Sequence, residues 1–406
     1  MKVEQVYEIV NQATTEFLGS EAMSGTAGDL SKVVDVGKTI IDEANDIDNY
    51  VRKLIDHIGK VVYVNRPYRG RAPSVLVEGW EYGSILEKID AGIPEAEANN
   101  AWQLTNGTTY NQDTFTAPED VRVKMWNKRV TFDIPMSFAY EQVKSAFSNV
   151  AQLNGFFSMI AQKIDTSLTI KRDALIMYTL DNFIAGTLYA EYKTGKYGDS
   201  SGTRAINLLY EYNQRFGETL TADKCLTDLN FLKYAAYRMK LVSNHLTNAL
   251  TMYNIGGRVR HTPHDKQKVV LLDRFSEAAN VYLQSDTFHN EFTKFPLADT
   301  VSFWQAPGTS FAEEDVEAIN VKTVDPTTDV TSSSPTTVTV KAGGILGVIF
   351  DRDAVAVSNP ERKVTQHYNA RADFINSWYK EFAGYLNDFD ENGVVFFVAD
   401  PSPVGP

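Results

Sequence analysis

Apolar residues along this chain follow two rhythms, and the rhythm changes several times. Val3, Val6, Ile9 and Val10 recur at helical spacing, and the small-residue stretch GSEAMSGTAG then reads as a flexible joint. Residues 1–36 therefore read as an arm rather than as core. Ile40, Ala44, Ile47, Val51, Leu54 and Ile58 return at three- and four-residue steps and predict an amphipathic helix within 37–60, ended at Gly59. From 61 to 130 the rhythm shortens to two. Val121, Val123 and Met125 alternate with Arg122 and Lys124, and Val130, Phe132 and Ile134 alternate again, as half-exposed strands do. Trp80 and Trp102 stand there among few aliphatic residues. Such a segment buries little by itself. It reads as a long two-stranded excursion, marginal alone in water, that something outside it should cover.

The middle of the chain returns to helical spacing. No proline occurs between Pro135 and Pro263. Leu153, Phe157, Ile160, Ile164, Leu168, Leu175 and Tyr178 predict a helix over 149–184, roughly 50 Å long. The loop TGKYGDSSGTRA follows, then two helical runs at about 203–216 and 226–246. KQKVVLLD predicts a buried strand and SEAANVYLQSDTF a short helix. The Thr/Ser-rich segment 312–342 reads as a protruding hairpin with a low-complexity loop. The chain closes on strands, with an Asn392-Gly393 turn before VVFFVA.

Composition narrows the class. Apolar residues make up 43% and charged residues 22%, as in a folded soluble protein, and 406 residues suffice for two or three compact units. The net charge of -13 argues against a dedicated nucleic-acid binder, which needs a basic surface. Cys225 is the single cysteine, so an internal disulfide and a cysteine metal cluster are excluded and a reducing compartment is expected. No signal-type start and no apolar run of membrane-spanning length is read, so no membrane partner and a cytosolic site of synthesis are expected.

Candidate chemistry is sparse. GILGVIFDRDAVAV ends an apolar run in Asp351-x-Asp353, which resembles the nucleophile strand of Mg²⁺-dependent phosphatases. Too few residues follow for the sheet that chemistry needs, and Ala354-Val355 stand where that pattern wants Gly-Thr. The favoured reading is a structural strand whose polar end reaches solvent. His261 and His264 in HTPHD have metal-ligand character, but Pro263 prevents a helical presentation and no third ligand is near in sequence. Cys225 lies between acidic residues, which raise a thiol pKa. No phosphate loop and no nucleophile elbow occurs. No catalytic, metal or cofactor site is expected; an arm, an uncovered hairpin, a long helix and a second hairpin point to burial completed against neighbours.

This order of elements resembles the major capsid proteins of tailed bacteriophages, with the α+β fold named after phage Hong Kong 97. TSLTIKRDALIMYTLDNFIAG and the closing segment are most similar to those of small short-tailed phages of Gram-positive hosts. The resemblance implies an N-terminal arm at 1–36 and a helix at 37–60 leading to an extended β-loop at 61–130. It implies a peripheral domain with a spine helix at 131–224, an axial domain at 225–343 that includes hairpin 312–342, and return strands at 344–406. It implies an icosahedral shell of hexamers and pentamers of the same chain around double-stranded DNA, touched only weakly. Portal and scaffolding proteins would be partners, and the shell would be assembled in the host cytoplasm and found in the virion. Trp80, Tyr82, Trp102, Val121, Val123 and Met125 are expected at inter-subunit contacts, with local packing within the loop as the alternative for the aromatic residues. Gly70, Gly79 and Gly83 are expected as the loop hinge. Two other readings stay open: an encapsulin-type nanocompartment, and a Mg²⁺-dependent phosphatase using Asp351.

Overall fold

The computed structural model describes residues 75–77, 86–93, 96, 106–107, 121–126, 129–139, 150–198, 202–284, 298–305, 317–327, 336–358, 361–371 and 374–400. The arm, the helix within 37–60, Gly70, Gly79, Trp80, Tyr82, Gly83 and Trp102 lie outside them.

In chain order the elements are β1 (Leu76–Val77), β2 (Leu86–Ala91), β3 (Val121–Trp126), β4 (Arg129–Ala139) and a long helix α1 (Val150–Lys193). Then come β5 (Ala205–Asn207), α2 (Leu208–Phe216), α3 (Ala222–Cys225), α4 (Leu229–Leu246), β6 (Gln267–Leu272), α5 (Asp273–Gln284) and β7 (Ala298–Val301). β8 (Ile319–Val324), β9 (Thr337–Ala342), β10 (Ile345–Asp351), β11 (Val355–Ser358), β12 (Glu361–Asn369), β13 (Phe374–Asn387) and β14 (Gly393–Phe397) complete the chain. The chain divides into two compact units, and α1 and β13 each pass from one to the other, after Leu175 and after Gly384.

In the first unit, β13 pairs antiparallel with β12 on one side and β4 on the other. Period-two alternation along β13 buries Ile375, Ser377, Tyr379, Glu381 and Ala383 on one face. Glu381 is fully buried there, and Arg172 of α1 meets it with two parallel hydrogen bonds of 2.9 and 3.0 Å. That fork is the geometry in which a buried pair offsets its desolvation. Pro135, inside β4, is tolerated because β4 is described with a partner on one side only.

The second unit is built on a five-stranded sheet in the order β5-β14-β10-β6-β7. Every residue of central β10 is buried, as its unbroken apolar run requires of a strand covered on both faces. α2 packs on β14, and α5 on β6 and β7. The C-terminal half of α1 is buried nearly all round: Ile176, Met177, Leu180, Ile184 and Leu188 are inaccessible to solvent. The helix runs past the predicted end at 184, and Gly186 within it is packed closely against the ring of Phe389, which also stacks on Phe183. The predicted helix at 203–216 begins instead as strand. Ala205–Asn207 pairs in parallel with β14, and Asn207 then caps α2 by accepting the Tyr210 N–H at 3.2 Å. The Thr/Ser-rich segment does contain a hairpin, β8 paired antiparallel with β9. Asn392-Gly393 does not join two paired strands; it enters β14 from a turn at 388–391.

Gly344 leads into β10 with a φ of 68°, and a Cβ there would run into the carbonyl oxygen of Val398. Gly344→Ala should therefore cost at least about 1–3 kcal/mol from backbone strain alone, read as a lower denaturation midpoint. An unchanged midpoint would contradict the placement of this turn.

Candidate interaction surface

The β2–β3 hairpin is built inside out. Its register pairs Glu87 with Met125, Lys88 with Lys124, Ile89 with Val123, Asp90 with Arg122 and Ala91 with Val121. Directly opposed residues share a face, so Ile89, Val121, Val123 and Met125 line one side together with Glu87 and Ala91, and Lys88, Asp90, Arg122 and Lys124 line the other with Trp126. The apolar side is the exposed one: Ile89 is 68%, Val121 53%, Val123 50% and Met125 62% accessible.

The charged side is the one turned to the body of its unit. Lys88 Nζ donates to Asp388 Oδ2 at 2.7 Å and to Glu391 Oε1 at 2.5 Å. Lys124 Nζ donates to Asp388 Oδ1 at 2.6 Å and lies 2.6 Å from Asp390 Oδ2. Two residues further along β2, the polarity reverses. Arg258 donates to Asp90 Oδ2 at 2.6 Å, and both terminal nitrogens of Arg260 donate to the same carboxylate.

The body residues are held by their own backbone. The Asp388 N–H donates to the Ala354 carbonyl at 2.7 Å, and the Asp390 N–H donates to Asp388 Oδ1 at 3.1 Å, an Asx turn. The loop carrying the arginines is sewn to that turn: Ile255 N–H donates to the Phe389 carbonyl and Gly393 N–H to the Tyr253 carbonyl, each at 2.9 Å. Asn254 brackets Arg258 through both its backbone groups.

Burial raises the pKa of Asp388, but Lys124 and Lys88 outweigh burial and hold it below the usual carboxylate range. Asp90 is likewise lowered, with Arg260 and Arg258 outweighing burial. At Glu391 burial wins over Lys88 and Arg260, and the carboxyl is raised. Lys88 is raised, since Asp388 and Glu391 outweigh the effect of burial.

Other predicted positions resolve differently. Asp351 does not reach solvent. It is 5% exposed, accepts the Thr262 hydroxyl at 2.7 Å and accepts the Asp353 N–H at 2.9 Å, because a neighbouring loop covers the end of β10. Asp353 is exposed, so the two carboxylates share no pocket. His261 and His264 are exposed, and among the described residues no group of three or more His, Cys, Asp or Glu is arranged to hold a metal. The Cys225 thiol is pushed up to about 12, mainly by burial and then by Glu317. Of the six predicted contact residues, Val121, Val123 and Met125 fall on one hairpin face. The sequence reading did not single out Lys88, Asp90, Arg258, Arg260, Asp388 or Glu391. Charged alternation in LEKIDA was the available signal for the hairpin half, and the acidic run DFDEN for the other.

Over residues 8–397 the sequence matches the family of the Phi29-like phage major capsid protein. The chain belongs to that family. As a phage major capsid protein it is a structural protein of the virion and not an enzyme, and it acts as one of many copies in a shell. The phosphatase and nanocompartment readings fall with that assignment. Among solved structures it is similar to a chain of the capsid of Staphylococcus phage Andhra at 11% identity, covering 83% of this chain and 86% of that one with a TM-score of 0.48. It is similar to a chain of the structure of head fiber and inner core protein gp22 of native bacteriophage P68 at 10% identity, covering 83% and 86% with a TM-score of 0.49. A chain of the capsid of cyanophage P-SCSP1u follows at 11% identity, covering 83% and 91% with a TM-score of 0.42. No curated protein matches the sequence.

The raised Glu391 and lowered Asp388 predict opposite pH responses. A carboxyl raised in the folded state favours folding as pH falls toward its ordinary value of 4.5, so Glu391→Gln should gain on the natural chain as pH rises from about 4.5 to 7. A lowered carboxyl stabilises above 3.8 and loses its effect as pH falls through the folded value, so the deficit of Asp388→Asn should be full at pH 7 and vanish in acid. Denaturant unfolding across this range checks both signs; parallel pH profiles would contradict them.

Proposed function

We propose that this capsid protein builds its shell by seating the apolar face of the β2–β3 hairpin on a neighbouring copy of itself. The observation that carries this is the inverted hairpin: Lys88, Asp90 and Lys124 are consumed by its own body, while Ile89, Val121, Val123 and Met125 face outward. A monomer gains nothing from that arrangement, because the alternation could equally have put the apolar side inward. A neighbour covering the face removes apolar surface at about 25 cal/mol per Å², and the gain repeats at every copy.

Trp80, Tyr82 and Trp102, from the same stretch of sequence, are assigned to the same contact as aromatic anchors, and Gly70, Gly79 and Gly83 to the hinge at its base. Helix α1 takes the part of the spine, the region 131–224 with 344–406 that of the peripheral domain, and 225–343 that of the axial domain. The copies are arranged as hexamers and pentamers around double-stranded DNA, in assembly with portal and scaffolding proteins in the host cytoplasm. A net charge of -13 suits a container that holds DNA without gripping it.

The pair of substitutions Val123→Asp and Met125→Glu tests this reading. Both sites are exposed, so the subunit should keep its stability within about 0.5 kcal/mol while closed particles disappear in sedimentation velocity. Particles in normal yield would overturn the proposal.

A further inference from the structure

We propose that the β2–β3 hairpin is a detachable element, held to its unit by an ionic latch that salt or the loss of one carboxylate opens without unfolding the body. Three observations carry this independently of what covers the outer face.

The first is the chemistry of the contact. Lys88, Asp90 and Lys124 make six ion pairs with Asp388, Asp390, Glu391, Arg258 and Arg260, while Ile89, Val121, Val123 and Met125 lie on the opposite side and half-buried Trp126 shares the inner one. Docking therefore draws on charge rather than on burial of those aliphatic side chains.

The second is internal conflict. Lys88 and Lys124 stand directly opposite each other, and like charges so placed push a ribbon apart. Asp388 resolves the conflict by giving one oxygen to each lysine. The hairpin's own pairing thus depends on a carboxylate 300 residues from one lysine and 264 from the other, and a two-stranded hairpin without such help is marginal in water.

The third is balance. When the hairpin lifts, Lys88, Lys124 and Asp90 return to water, and on the body Arg260 and Glu391, 3.6 Å apart, keep each other as partners. A buried ion pair and its separated, hydrated ions lie close in free energy, unlike a broken apolar contact. The lysines are 26% and 33% exposed and Asp90 is 21% exposed, so ions in solution reach the latch. The two clamps also have opposite polarity, lysines onto carboxylates and a carboxylate onto arginines. Only one docking register satisfies both, so the hairpin re-seats in the same pose.

Amide hydrogen exchange on the unassembled full-length chain, at 0.05 and 1 M sodium chloride and pH 7, tests the proposal. Exchange in 86–91 and 121–126 should accelerate tenfold or more in high salt, while β10 and β14 keep their protection. Asp388→Asn, which retains the oxygen that accepts the Asp390 N–H, should show the fast hairpin exchange already at low salt, with little further response. Hairpin protection that is unchanged or increased by salt would overturn the latch, since salt leaves apolar docking intact or strengthens it. So would hairpin and core strands losing protection together, because the element would then not detach by itself. If Asp388→Asn does not fold, the salt series on the natural chain decides the matter alone.

Discussion

Asp388 sits between two lysines that face each other across a two-stranded ribbon, and the placement of that ribbon depends on it. Its side chain is 1% exposed, a position in which an ionised carboxylate survives only with full charge compensation. The hairpin supplies that compensation from Lys88 and Lys124, and the body in turn supplies what the hairpin lacks. Around this exchange the turn at 388–391, the loop at 250–260 and the start of β14 are tied by backbone hydrogen bonds, so the carboxylate is presented from a rigid frame. The all-buried β10 beside β14 anchors that frame in the core of its unit.

Using charge for the inner face has a consequence for the outer one. A strand offers two faces of opposite character, and if the polar face is spent on the body the apolar face goes to solvent. For a solitary protein this would be a fault. In the shell contact proposed above it is a division of labour: charge sets where the hairpin lies, and the apolar area is left for another copy. The two kinds of interaction also respond differently to conditions, because ionic contacts weaken in salt and apolar ones do not. Position and adhesion can therefore be tuned separately in one short hairpin.

Much of the fold was legible because it is written in local rhythm. The alternation at Val121, Val123 and Met125 and at Val130, Phe132 and Ile134 appears as β3 and β4, and the recurrence from Leu153 to Tyr178 as the first two-thirds of α1. The unbroken run before Asp351 appears as the central strand β10. What escaped was set by tertiary context. The apolar recurrence was read only as far as 184, yet the helix continues to Lys193, with Gly186 packed against the ring of Phe389. Ala205–Asn207 carries a helical pattern but is captured by β14. Asp351 looked like a strand end in water, but Thr262 from a distant loop covers it. The latch was the least legible part, since Lys88 and Asp388 are 300 residues apart and each alone reads as an ordinary surface charge.

Oxidation footprinting of Met125 in free subunits and in assembled shells tests the account most directly. Met125 is 62% exposed, and the fully buried Met177 serves as an internal reference in the same chain. Assembly should protect Met125 strongly from peroxide while Met177 stays equally slow in both states. Equal oxidation of Met125 in subunit and shell would show that the hairpin's apolar face stays open to solvent, contradicting its use as the surface on which copies meet.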